Sequence, residues 1–257
     1  MIWRQNVSRK PKSNFTDDVT RHLTKVVRPH DHPNNANSTL SHGVRSSQAR
    51  NSILSFTTSL ETGCLPLQLH LVAVSFVETS LTDVYALRTN KVLADFVKSP
   101  RFSELEAVVR NHYSDFLDLP VGKFVAMLKG FKDPFYREFL NHYGDLSYCT
   151  LRIIDADHAR QKGIYMFTIG QSPRYIGRCR DSFGKRINQG FGRIKPENCY
   201  ANGQPTNCHL NALIAEHHES VNLYVLPLED SEHASVLERD LVRKYAPDWN
   251  RQIVRGT

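Results

Sequence analysis

The spacing of apolar positions changes along the chain, and the changes mark its organisation. Over residues 1–60 they are sparse, and the stretch from His30-Asp31-His32-Pro33 through Ser47 holds almost none. Such a segment buries too little surface to offset the entropy of ordering it, so a flexible arm is expected, with a short element at 52–57. From Leu67 the pattern alternates and then runs apolar to Phe76, as in a strand or a buried helix. Helical spacing follows. It predicts a short helix over Asn90–Lys98 closed by Pro100, and a longer one over 103–118 ended by Pro120. Further helices are predicted over Val121–Lys129, stopped at Gly130, and from Asp133-Pro134 to about Asn141. Tyr148–Ile154 reads as a strand. Residues 61–155 are therefore read as a mostly helical accessory domain whose Phe, Tyr and Leu stripes form its core.

At Gly163 the period becomes two. Gly163–Ile169 and Arg174–Gly177 are short runs of strand-forming residues separated by the turn cluster Gly170-Gln171-Ser172-Pro173, the pattern of a β-hairpin. Ser182–Gln189 reads as a helix and 190–206 as a Gly/Pro/Asn loop. Asn207 is placed as the cap of a helix with Leu210, Leu213 and Ile214 inward. Val221–Leu226 is a third strand. Ser231–Tyr245 is an amphipathic helix resting on Ala234, Leu237, Leu241 and Val242, and Pro247 ends it. Residues 156–257 thus form an α/β unit.

Charge adds a direction. The net charge of +7 is uneven: residues 1–50 carry nine Lys/Arg against three Asp, and residues 160–257 carry fourteen against ten acids. Basic residues crowd behind the hairpin at Arg174, Arg178, Arg180, Lys185, Arg186, Arg193 and Lys195. Such a surface favours a polyanion, and charge alone equally fits a solvated face. The apolar run at Leu69–Val77 is far short of the roughly 20 residues of a membrane helix, so no membrane span is expected. The start has no signal-type apolar core, and Asp17-Asp18 argues against an organellar leader. Five cysteines without tight spacing do not make a disulfide framework or a zinc knuckle, and they fit a reducing, cytoplasmic setting. The irregular histidines of the arm fit a polar tail better than a metal site.

Gly163-Ile164-Tyr165 and Tyr175-Ile176-Gly177 carry a resemblance. Over about residues 160–252 the chain is similar to the GIY-YIG nuclease family, and both triplets match to the letter. Downstream, Glu238 is followed by Leu241-Val242, Pro247, Trp249 and Asn250 at the family's spacing, nearest to its repair incision nucleases. The resemblance implies a small three-stranded, mostly antiparallel sheet flanked by helices. It implies a divalent-metal-dependent endonuclease acting on DNA, with Mg²⁺, or Mn²⁺ in its place, as cofactor. It gives Glu238 the metal, Tyr165 the role of general base through water, and Tyr175 the positioning of phosphate or water. Arg178 stands where a Lys usually follows the second triplet, and Asn250 takes a structural or site-supporting role.

Read alone, the residues permit this chemistry without singling it out. Glu238 shares a helix face with Leu241 and Val242, and a carboxylate near apolar surface favours a partner or a metal, a single one suiting Mg²⁺. An exposed helix Glu paired with basic neighbours is the plainer alternative. Arg186 lies eleven residues after Tyr175, one more than the commonest family interval, which Lys185 would satisfy. Arg186 is preferred because a guanidinium forks across phosphate oxygens. Gly190 stands where the family often has His or Tyr, and His209 is the candidate to replace that group from the next helix. One such site cuts one strand, so double-strand cleavage requires a homodimer or two nicks. A binding module that keeps the fold without catalysis is the alternative.

Overall fold

The computed structural model describes residues 53–60, 63–87 and 91–250, with side chains from Leu67 onward. Most of the arm therefore lies outside the described residues. Among the described residues, seven strands form two antiparallel sheets. The larger has the order β1-β2-β7-β5-β6, from β1 (Ile53–Leu60), β2 (Gly63–Val72), β5 (Gly163–Ile169), β6 (Ser172–Cys179) and β7 (Val221–Pro227). The smaller pairs β3 (Val74–Leu81) with β4 (Tyr148–Ile153).

The three strands expected in the third segment are adjacent, as β7-β5-β6, but the sheet does not stop at three. His70, Leu71 and Val72 pair with Val225, Tyr224 and Leu223, so β2 covers the edge of β7, and β1 pairs with β2 along its length. An uncovered β7 edge would leave a row of unpaired N–H and C=O groups. Leu69, fully buried, packs into the same core as Ile164 and Met166. The accessory segment therefore gives a strand to the neighbouring sheet and ends in the β3–β4 ribbon. Ile53–Leu60 belongs to the sheet rather than to a flexible arm.

β5 is buried on both faces, which explains its unbroken apolar run. Ile164 and Met166 face a core built with Leu237 and Leu241 of α8 (Ser231–Tyr245). Tyr165 and Phe167 face the other way, onto Phe183, Ile187 and Phe191 and onto Ile214 of α7 (Pro205–Glu216). A period of two thus feeds two cores from one strand.

The intervening segment builds a third core from α1 (Leu93–Val97), α2 (Ser103–His112) and α3 (Val121–Gly130) with 3₁₀ turns between them. The long helix expected over 103–118 breaks at Tyr113 (φ −135°, ψ 31°), and 114–116 is a separate turn. Asp133 caps Phe135 as expected, but 134–139 winds as 3₁₀. After α4 (Ala156–Arg160) and the hairpin, Ser182 caps α5 (Phe183–Arg186), which widens into a π turn over Ile187–Phe191 instead of running on as one helix. Within the expected loop, α6 (Pro196–Cys199) is a single turn. Among the described residues no helix is long and apolar enough to cross a membrane.

Candidate functional site

The two glycines of the paired triplets are set by space. Gly163 has φ +139°, and a Cβ there would lie 2.2 Å from the Leu226 carbonyl oxygen. Gly177 pairs across the hairpin with Tyr165, and a Cβ on it would lie 2.7 Å from the Tyr165 phenol. The missing side chain is the room that the Tyr165 ring occupies. That ring lies between Tyr175 (centroids 5.9 Å apart) and Phe191 (5.8 Å).

β6 is the edge strand, so residues from both faces of the sheet meet around its end. From the α5 side, Arg186 donates through Nε to the Tyr165 hydroxyl at 3.2 Å, with its guanidinium over the Phe191 ring. From the α8 side, Glu238 accepts from Arg178 Nε at 2.6 Å. Arg178, Arg186 and Glu238 line one open cleft of about 730 Å³ with Arg180, Lys185, Asp181 and the amides of Gln189, Gln204 and Asn207. Lys185 pairs with Asp181 at 2.6 Å and Arg178 with Glu238. Among the described residues neither Arg180 nor Arg186 forms an ion pair with a carboxylate. The cleft therefore keeps a net positive field suited to an anion.

Tyr165 is 1% exposed and sits behind Arg186 rather than on the cleft wall. Burial, and then Tyr175, push its phenol well above the ordinary value, while Arg186 pulls it back. Burial presses against the Arg186 charge, and the paired tyrosines outweigh it, holding the guanidinium charged.

Asn250 does not enter the cleft. Its side chain accepts from Ile176 N–H at 2.8 Å and donates to Ile176 C=O at 2.7 Å, satisfying the outer edge of β6 as a strand would. Trp249 adds a bond from its N–H to the Arg174 carbonyl. Arg174 itself pairs with Asp248 at 2.9 Å and lies away from the cleft lining, as do Arg193 and Lys195.

His209 also lies elsewhere. Its ring packs on Tyr143 at 4.7 Å, with Nε2 buried and unpartnered, and burial and then His142 lower its basicity. The reason is helical phase. α7 begins at Pro205, so Asn207 is not its cap but an inward residue of its first turn, bonded to Gln204 and facing the cleft. At 100° per residue, His209 points about 200° away from it. The sequence signal for Asn207 was an amide in the first turn of an amphipathic helix, which reads equally well as a cap. Gly190 lines the cleft, and a Cβ there would meet only the Lys185 carbonyl oxygen, at 3.7 Å.

The resemblance implies a divalent cation. Among the described residues no three His, Cys, Asp or Glu side chains group together. The cleft instead offers the Glu238 carboxylate, with Asp181 also on its lining. That fits Mg²⁺, which binds through one or two carboxylates and keeps several waters, and does not fit zinc. Cys149, Cys179, Cys199 and Cys208 are free and buried. Compared with known proteins, the chain matches no family model, no curated protein and no solved structure.

Proposed function

We propose that this chain is a divalent-metal-dependent endonuclease of the GIY-YIG type that hydrolyses phosphodiester bonds in DNA. One observation carries the reading: Arg178 and Arg186, together with Glu238 from far along the chain, line one basic cleft, with the Tyr165 phenol bonded to Arg186 behind it. Arg186 binds the non-bridging oxygens of the scissile phosphate, held in place by Tyr165 and Phe191, and neutralises charge growing on them. Glu238 would hold Mg²⁺, and Arg178, bonded to that carboxylate, adds positive charge beside the phosphate. The cation supplies Lewis-acid stabilisation and makes bound water more acidic. Tyr175, half-buried beside Tyr165 and likewise off the cleft lining, has its role of orienting water or phosphate from the resemblance alone. Hydrolysis forms a bond from the water oxygen to phosphorus and breaks the bond to the leaving oxygen, with protons exchanged through the open cleft.

Tyr165 is better suited to holding Arg186 than to acting as the base. A buried phenol with a raised pKa carries little phenolate at neutral pH, and it does not line the cleft. Arg186→Ala is expected to slow plasmid nicking by two to three orders of magnitude, the usual scale for one lost transition-state donor, while folding stays intact by circular dichroism. Nicking at the wild-type rate by that variant would remove Arg186 from the mechanism.

A non-catalytic DNA-binding module is the second reading. Gly190 favours it, since the position has room for a side chain and carries none. It predicts salt-sensitive binding without metal-dependent cleavage.

A further inference from the structure

Around α5 from the cleft, a second groove of about 840 Å³ opens between the β3–β4 ribbon and the π turn. The two share Lys185 and Gln189 on their linings, so a chain lying in one passes over α5 into the other. Two further cations line the groove, Arg152 on β4 and Arg193 after the π turn. Both are exposed, and among the described residues neither forms an ion pair. Glu78 is the one acid on that lining.

These cations sit on fixed backbone. Leu151 N–H bonds to the Gly192 carbonyl at 2.9 Å, and Ile153 N–H to Asn188 Oδ1 at 2.8 Å. Thr150 bridges Arg193. Leu151 and Ile153 are buried, so strand alternation turns Arg152 outward between two anchored neighbours. Val77, 61% exposed, lines the same groove as an apolar contact. A free anion is too small to use a groove of this volume, whereas a polynucleotide backbone with its sugars uses both the charges and the apolar wall.

We propose that this groove is a track for the phosphate backbone of the DNA flanking the scissile bond, so that the β3–β4 ribbon, outside the GIY-YIG-like segment, belongs to the substrate surface. The proposal rests on the nuclease reading and deepens it.

The test is fluorescence anisotropy of a labelled 20-base-pair duplex with the full chain, titrated from 50 to 200 mM KCl. Arg152→Gln with Arg193→Gln is expected to weaken binding about tenfold and to reduce the slope of log affinity against log salt by about two, one per lost phosphate contact. Glu78→Gln is expected to tighten binding about threefold, a gain that misfolding would not give. A double variant with the wild-type slope overturns the track, and if Arg186→Ala still weakens binding the nuclease reading survives. Absence of salt-dependent duplex binding by wild type overturns both.

Discussion

At the scale of single residues, Tyr165 and Gly177 share one volume, and Arg186 is fixed by the phenol that fills it. In the proposed mechanism this makes Tyr165 a positioning residue. Tyr165→Phe keeps the ring and its stacking but loses the hydroxyl bonded to Arg186. The cleavage rate is expected to fall by about tenfold, the scale of one net hydrogen bond, with the shape of the pH–rate profile unchanged. Were Tyr165 the base, its raised pKa would make the wild-type rate climb tenfold per pH unit from neutral through at least pH 9, and the Phe variant would lose that slope. A pH series on both proteins separates the two. The positions of the motif residues were legible because glycines at steric contacts and a charged pair between β6 and α8 leave fixed spacings. His209 was not, because its side depends on where α7 begins, and Asn207 looks the same in sequence as a cap or as an inward first-turn residue.

At the scale of elements, one strand joins what the sequence divides. Leu69 on β2 is fully buried against the α8-side core, off the cleft lining and in the segment read as a separate domain. Leu69→Ala is expected to destabilise the protein by about 2–5 kcal/mol and to lower the single melting transition of the whole chain, measured by denaturant and thermal unfolding. A loss under 1 kcal/mol would mean that β2 is only loosely attached to β7. The hairpin, the third strand and α8 were legible from period and turn residues. The fourth and fifth strands were not, since Leu67–Phe76 fits a strand or a buried helix, and pairing with β7, more than 150 residues later, leaves no local trace. The π turn at 187–191 was likewise hidden. Its departure from α geometry comes with Gly190 at ψ −115°, a conformation that the residue permits but does not announce.

At the scale of the molecule, cations of the hairpin, α5 and β4 are gathered by folding into two joined grooves around α5, one with the motif residues and one with the β3–β4 ribbon. Sequence shows where basic residues cluster, and the sheet order brings them to one surface. The measurement that bears most directly on the nuclease reading is nicking of supercoiled plasmid in Mg²⁺ by wild type beside Glu238→Ala, with duplex binding followed in parallel. Wild type is expected to nick, with EDTA stopping it, and Glu238→Ala to bind DNA without nicking. Equal nicking by the two proteins, or binding by wild type with no metal-dependent nicking, would contradict it.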